Sequence, residues 1–151
     1  MSPLVWVDVY VSDGGIHARE WISPATVTGI LRDLVEHKEN YANILSKLDI
    51  YLLPLLNPDG YEYSRSTDRL WRKNRSHPER GRCAGVDLNR NFSYKWGGRG
   101  SSGKTCSEEF RGQRPLSEPE SAALAKVGSI SFSSDTKGLG PFKTETEFME
   151  N

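Results

Sequence analysis

A histidine and a glutamate stand three residues apart near the start of the chain, in the segment His17-Ala18-Arg19-Glu20. They fall between a predicted strand and a predicted helix, a junction at which both side chains can point at one spot. An imidazole and a carboxylate suit Zn²⁺, and a catalytic zinc typically has three protein ligands and one open position. The spacing alone is a weak signal that occurs often by chance, and it leaves two interpretations open: a metal site, or a loop histidine followed by a glutamate that stabilises a helix N-terminus.

Two later segments carry groups suited to an anion. Residues 68–75 (DRLWRKNR) place four cations around a tryptophan. Residues 85–92 (GVDLNRNF) set Asn89 beside Arg90, and a forked guanidinium next to an amide fits a terminal carboxylate. The alternatives are a solvated run of charge for the first segment and a polar turn for the second.

The composition limits the classes of protein to which the chain can belong. Its 151 residues include 20 Lys and Arg and 20 Asp and Glu, and 36% of them are hydrophobic. These values argue against a disordered chain, and no apolar run approaches the roughly 18 residues that span a bilayer. The length predicts one domain, and residues 1–4 show no basic start to a signal peptide.

The zero net charge hides a basic middle segment. Residues 61–114 hold 13 Lys and Arg against six Asp and Glu. Such an excess favours an anionic ligand, which can be a carboxylate, a phosphate or a nucleic acid. A nucleic-acid-binding module is disfavoured because the chain as a whole is not basic.

The two cysteines, Cys83 and Cys106, lie in a stretch rich in Gly and Ser. Two cysteines have three possible interpretations, which are a disulfide, half of a metal site, or two buried thiols. The loop-like surroundings favour the disulfide, which would require an oxidising compartment.

The elements that must position these groups begin with a strand, a helix and a second strand. Residues 4–12 (LVWVDVYVS) predict a strand, and the continuous apolar run 49–56 predicts another that is covered on both faces. Between them we expect a helix that is capped by Ser23, has Pro24 at its first position and ends near His37. The helical spacing predicts one buried apolar face, formed by Val27, Ile30, Leu31, Leu34 and Val35. A short helical piece is expected over 41–47. This βαβ order predicts an α/β sheet.

The second half of the chain is predicted to be mostly loop. Residues 57–60 (NPDG) indicate a turn, and residues 61–114 a long loop of the kind that usually carries function. A capping box of Ser117 and Glu120 predicts a helix that ends near Gly128. Residues 129–151 show no sustained period and predict a divergent, poorly ordered tail.

Five segments together closely resemble the zinc metallocarboxypeptidases of the pancreatic carboxypeptidase A/B family. They are GIHAREW, NPDGY, RLWRKNRS, GVDLNRNF and SEPE, which occur in this order within residues 4–128. The resemblance implies that residues 1–128 form part of a catalytic domain with a three-layer α/β/α fold. In that fold, helices lie on both faces of a mixed sheet. It also implies a secreted enzyme that removes one C-terminal amino acid from a peptide.

The resemblance also implies roles for individual residues. His17 and Glu20 match two ligands of a single Zn²⁺, and Arg72 matches the arginine that polarises the scissile carbonyl. Asn89 and Arg90 match the pair that grips the substrate's terminal carboxylate. The remaining matches are Arg19, a secondary substrate-binding arginine, and the pair Cys83 and Cys106, a family disulfide.

The resemblance also implies that the zinc site and the catalytic machinery need residues beyond those named above. The family's third zinc ligand is a later histidine and its general base a still later glutamate, whereas no histidine follows His77 here. A non-catalytic binder of peptide C-termini is therefore the alternative function, and neither nucleic acid nor membrane is expected as a partner. Of two glycosylation sequons, at Asn74 and Asn91, the second is expected to stay unmodified because a glycan would obstruct Arg90.

Overall fold

The computed structural model describes residues 8–77 and 83–133. Two strands and four α-helices follow in the order β1, α1, α2, β2, α3 and α4. Their bounds are Asp8–Asp13, Ile22–Glu36, Ala42–Leu45, Leu48–Leu53, Pro58–Ser66 and Pro119–Ser133. Two 3₁₀ turns, Lys38–Tyr41 and Leu88–Arg90, complete the elements.

The two strands pair in parallel, in a register that runs from Asp8 opposite Leu48 to Asp13 opposite Leu53. α1 connects them and contacts both, so the predicted βαβ unit and α/β class are confirmed. The described sheet has only these two strands. Residues 1–7 lie outside the described residues, and with them the first part, 4–7, of the predicted first strand.

The prediction that the second strand is covered on both faces is wrong in this structure. Along β2, half-buried residues alternate with exposed ones, and Tyr51 keeps 55% of its surface exposed. In the paired register, Val9 and Leu53 lie on the same exposed side. The side of the sheet that carries Val9, Tyr51 and Leu53 therefore stays exposed, and Asp49 lies on the same side.

The start of α1 differs from the prediction. The helix begins at Ile22, and the Ser23 hydroxyl accepts a hydrogen bond from the backbone N–H of Gly15 instead of capping. Ser23 thus ties the helix to the turn after β1. Only Val27 of the predicted apolar face is buried, whereas Val35 is 66% exposed. The helix ends at Glu36 with His37 as its C-cap, close to the expected position.

The helix α3 was not predicted. The segment that indicates a turn in the sequence begins a helix instead, because the Asn57 side chain accepts from the Gly60 N–H and Pro58 takes the first helical position. The expected long loop therefore starts after Ser66. The described residues of 67–77 and 83–118 are irregular apart from the 3₁₀ turn at 88–90 and one bridge between Ser102 and Phe110.

The last helix begins near its predicted start and runs through Gly128 to Ser133. The predicted capping box is absent, because the Ser117 hydroxyl donates to Glu118 and accepts from Asn91. The first residues of the predicted tail, 129–133, are helical. Residues 134–151 lie outside the described residues.

The apolar core is small and lies under the turn that carries His17. Its four buried members come from four separate segments: Ile16, Leu56, Leu88 and Leu124. The partly buried side chain of Phe92 packs against them. Within the described residues, no helix combines the length and apolar character that crossing a bilayer requires.

Candidate functional site

The chain leaves β1 through a glycine pair that fixes where His17 lies. The N–H and C=O of Gly14 bond to Leu53 and Leu56, the two sides of the end of β2. Gly15 has a φ of 66°, and a Cβ there would stand 2.8 Å from the Leu55 side chain, so this close approach requires glycine. The turn that follows holds His17 with only 2% of its surface exposed.

The structure brings His17 and Glu20 together. Nδ1 of His17 lies 2.9 Å from Oε1 of Glu20, and Nε2 lies 3.2 Å from Oδ1 of Asp87. The Glu20 side chain is 41% exposed, whereas that of Asp87 is fully buried. The imidazole thus contacts the buried Asp87 through one ring nitrogen and the partly exposed Glu20 through the other.

Arg72 belongs to the same cluster. Its Nε and Nη2 donate to Oδ2 of Asp87 at 3.1 and 3.0 Å, and its Nη1 lies 3.9 Å from Oε1 of Glu20. The backbone carbonyl of Arg72 also accepts from the Ala18 N–H at 3.0 Å. The segment around His17 and the segment around Arg72, more than 50 residues apart in sequence, therefore contact each other through both side chains and backbone.

Asp87 is the residue at the centre of this cluster that the sequence did not single out. Besides its bonds to His17 and Arg72, its Oδ1 accepts from the backbone N–H of Asn89. That bond caps the 3₁₀ turn Leu88–Arg90, which carries Asn89 and Arg90. One carboxylate therefore connects the predicted metal ligands with the predicted carboxylate-binding pair. The only sequence signal was its place in GVDLNRNF, two residues before Asn89.

The charges of the cluster stabilise one another. Burial alone would lower the pKa of His17, but its hydrogen bonds to Asp87 and Glu20 outweigh burial and leave that pKa raised. Burial would raise the pKa of both carboxyls, but His17 and Arg72 hold the pKa of Asp87 and of Glu20 below their usual values. Each of the two carboxylates is thus stabilised by its contacts with His17 and Arg72.

The remaining predicted binding residues lie around this cluster with partners of their own. Nε of Arg90 donates to the carbonyl of Gly100 at 3.0 Å. Nη1 and Nη2 of Arg19 donate to the Glu108 carboxylate, and Nη1 also bonds the Leu70 carbonyl. The Glu108 side chain is 56% exposed, so this ion pair is a weak one that another anion can displace.

The predicted disulfide is present in the structure. Cys83 and Cys106 are joined, with their Cα atoms 5.0 Å apart. It ties the segment that leads to Asp87 to the loop whose Phe110 carbonyl accepts from the Asp87 N–H. The same loop supplies the Thr105 carbonyl to the ammonium of Lys73. The disulfide therefore holds the loop that contacts Asp87 and Lys73 close to both residues.

The metal-binding capacity of the described residues is limited to two donors. No group of three or more His, Cys, Asp or Glu in residues 8–77 and 83–133 is arranged to hold a metal ion. Nδ1 of His17 and Oε1 of Glu20 lie 2.9 Å apart, so the two predicted donors are direct neighbours, while Asp87 orients the other ring nitrogen. His37 pairs with Asp33 at the end of α1 instead. The donor set fits part of a zinc site.

Both sequon asparagines are structural. Asn74 and Asn91 are 1% and 0% exposed. The Nδ2 of Asn91, to which a glycan would be attached, donates to the Arg111 carbonyl and to Ser117 Oγ. Nδ2 of Asn74 donates to Glu118. In this fold neither nitrogen is accessible for glycosylation.

The sequence of the chain is similar to that of known carboxypeptidases. Residues 7–140 match the sequence profile of the zinc carboxypeptidase family. A metallocarboxypeptidase A-like protein of Trichophyton verrucosum is 50% identical over 113 residues, which cover 75% of this chain and 26% of that protein. Carboxypeptidase B of Astacus astacus is 46% identical over 122 residues, covering 79% of this chain and 38% of that protein. The chain therefore spans well under half the length of these relatives.

The fold is similar to that of solved carboxypeptidase-type structures. Thrombin-activatable fibrinolysis inhibitor superposes with a TM-score of 0.80 at 41% identity, over 84% of this chain and 33% of the other. Carboxypeptidase A from Helicoverpa armigera superposes with a TM-score of 0.75 at 36% identity, over 80% and 30%. Since the profile, the sequence relatives and the folds all agree, the chain belongs to the zinc carboxypeptidase family.

Proposed function

We propose that this chain carries the zinc-binding and carboxylate-binding part of a metallocarboxypeptidase, an enzyme that hydrolyses the last peptide bond of a peptide or protein. The observation that carries the proposal is the single cluster of His17, Glu20, Arg72 and Asp87. It joins a partial metal site to an oriented guanidinium, next to the turn that bears Asn89 and Arg90.

His17 and Glu20 would hold the zinc ion. Because Asp87 engages Nε2, the other nitrogen of His17 points towards Glu20 and can exchange its proton for a metal. Bound zinc would supply an activated water and a polarised carbonyl. With only two protein ligands among the described residues, we expect weak and exchangeable zinc binding by the isolated chain.

Arg72 would stabilise the negative charge that develops on the carbonyl oxygen of the scissile bond. Asp87 fixes its guanidinium from one edge through Nε and Nη2. Nη1 remains on the side of Glu20, where a substrate carbonyl beside the metal would lie. A guanidinium oriented in advance needs little reorganisation as charge builds up.

Asn89 and Arg90 would bind the terminal carboxylate of the substrate and thereby set which bond is cleaved. The capped turn holds these neighbours at a fixed position relative to Asp87. Arg19 would contribute a secondary contact once the substrate displaces its exposed partner Glu108. The substrate class is thus a peptide with a free C-terminal carboxylate.

The disulfide supports a secreted location for the protein. Cys83–Cys106 closes a segment with a sequence separation of 23 residues, and such bridges persist in oxidising compartments. We therefore infer passage through the secretory route.

The incomplete metal site favours one alternative, a non-catalytic receptor for peptide C-termini. Two assays on the 151-residue chain address catalysis and carboxylate binding in turn, and observed release in the first would exclude the non-catalytic alternative. Zinc-dependent release of a C-terminal amino acid that is lost in Glu20→Gln would establish catalysis by the chain, whereas we expect no release. Titration with a peptide acid and with its C-terminal amide tests the carboxylate site. We expect a preference for the acid that is lost in Arg90→Ala, and equal binding of both peptides would overturn the proposed function.

A further inference from the structure

Asn57 is a buried amide that lies between the two segments of the site. It is 0% exposed, and its Nδ2 donates both to the Ile16 carbonyl at 3.1 Å and to the Lys73 carbonyl at 3.2 Å. Ile16 directly precedes His17, and Lys73 directly follows Arg72. One amide group therefore bridges the metal-ligand turn and the arginine segment at their backbones.

The oxygen of the Asn57 side-chain amide binds α3, so the connection between Ile16 and Lys73 is also attached to that helix. Oδ1 of Asn57 accepts from the Gly60 N–H at 3.0 Å, and the backbone N–H of Asn57 donates to the Gly15 carbonyl. The side chain thus uses both amide protons and its oxygen on backbone partners. Since a buried amide with every group satisfied has one orientation, the bridge is rigid.

Gly60 leaves the space that the bridge requires. A Cβ at Gly60 would stand 2.5 Å from Nδ2 of Asn57 and 2.6 Å from the Lys73 carbonyl oxygen. Any side chain at this position would push the amide away from Lys73. The glycine of the NPDG segment is therefore explained by the bridge and not by a turn.

A second side chain of α3 holds the other flank of His17. Ser64 is 2% exposed, and its hydroxyl lies 3.0 Å from the Ala18 carbonyl oxygen and 2.7 Å from that of Tyr61, so these two carbonyls share its proton. The carbonyl before His17 is thus bound by Asn57, the N-cap of α3, and the carbonyl after it lies against Ser64 within α3. On the far side, the Ala18 N–H bonds to the Arg72 carbonyl.

We propose that Asn57, with the space left by Gly60, is a positioning residue that sets His17 and Arg72 relative to each other. It touches neither metal nor substrate and acts through the backbone of Ile16 and Lys73. This inference deepens the proposed function and rests on it for its consequence in catalysis. The bridge itself makes a prediction that needs no metal.

The experiment compares the complete wild-type chain with three variants, each kept below its unfolding temperature. Asn57→Ser retains a helix-capping hydroxyl but is too short to reach both carbonyls, so it separates capping from bridging. Gly60→Ala keeps Asn57 and displaces it. Val27→Ala is the control, because it removes buried apolar volume in α1 without touching the bridge.

Two measurements are made on each protein. Co²⁺ titration with visible absorption reports the geometry at His17 and Glu20. We expect about tenfold weaker binding and an altered spectrum for Asn57→Ser and Gly60→Ala, and little change for Val27→Ala. Hydrogen exchange of the Ala18 amide, followed by NMR without metal, should accelerate in the two bridge variants beyond their loss of global stability.

The results separate the two proposals. Bridge variants that match Val27→Ala in Ala18 exchange would overturn the positioning role, whatever the metal does. If wild-type chain binds no Co²⁺ while Ala18 exchange still accelerates, the zinc assignment fails and the bridge stands. If Ala18 exchange accelerates but wild-type-like Co²⁺ affinity persists in both bridge variants, Asn57 does not position the metal site and the proposal is rejected.

Discussion

The part of the molecule around His17 and the part around the sheet are held together in different ways. The site region comprises residues 14–20, 57–77 and 83–121, and the sheet region comprises residues 8–13 and 22–53. All of the buried polar and charged residues in the described chain belong to the site region. Ten of the thirteen large hydrophobic residues that are exposed belong to the sheet region.

This difference shows what each region needs in order to keep its shape. In the site region, hydrogen bonds between distant segments specify the positions of side chains, because a buried polar group that loses its partner is costly. In the sheet region, the exposed hydrophobic side chains of β2 and α1 contribute little to stability while they remain in water. The geometry of the site is therefore specified mainly by bonds within the site region, and the bonds of Gly14 to Leu53 and of Gly15 to Ser23 link it to the sheet region.

The largest contrast is expected between two Asp–His pairs, one in each region. Asp87→Ala leaves buried His17 and Arg72 without their shared partner, so we expect a loss of about 3–5 kcal/mol in unfolding free energy. Asp33→Ala removes the exposed pair with His37, for which we expect less than about 1 kcal/mol. Urea denaturation of both variants measures the contrast, and similar losses would contradict it.

The disulfide should have the next largest effect. Replacing both Cys83 and Cys106 by serine frees a loop with a sequence separation of 23 residues, for which chain entropy gives a loss of about 3 kcal/mol. Urea denaturation of this double variant, and of wild-type chain with and without reductant, checks the value. An unchanged midpoint would show that the hydrogen bonds of the site region suffice to hold this loop.

A smaller effect is expected from Glu120, at the edge of the site region. Burial raises the pKa of Glu120 although Asn74 donates to it. A carboxyl whose pKa is raised on folding favours the protonated fold, so its contribution is present at low pH and is lost as pH rises from near 4.5 through the raised value. Glu120→Gln should therefore be the more stable protein above that window. Parallel stability curves for the two proteins between pH 4 and 7 would refute the assignment.

The smallest effect is expected on the outer face of α1. Val35 is 66% exposed, so Val35→Lys should change the unfolding free energy by less than about 0.5 kcal/mol. The same substitution should reduce self-association, because it interrupts an apolar surface. Denaturation and sedimentation together test this. A loss above about 2 kcal/mol would mean that this face is covered in solution.

The local elements of the sheet region were largely predictable from sequence. A run of β-branched and aromatic residues predicted the first strand, a continuous apolar run predicted the second, and the spacing of apolar residues predicted α1. Helix α3 was missed because Asn57 and Gly60 have the same local signal in a turn and at a helix start. In the folded chain, Asn57 at the start of this helix also bonds to Ile16 and Lys73, which are remote in sequence and so give no local signal.

The site was predictable only where its partners are close in sequence. The three-residue spacing of His17 and Glu20 indicated their contact, which the structure shows. Asp87 lies 70 residues from His17 and 15 from Arg72, so no spacing revealed it. The roles of Asn89, Arg90 and Arg19 in substrate binding stay predictions.

The most direct test of the account is zinc K-edge X-ray absorption on the zinc-loaded chain. The central claim is that His17 and Glu20 share one metal while Asp87 holds the far side of the imidazole. We predict one imidazole ligand at about 2.0–2.1 Å in an otherwise oxygen-rich shell, lost in His17→Ala. Two or more imidazoles, or a spectrum unchanged by His17→Ala, would contradict the claim and implicate His37 or His77.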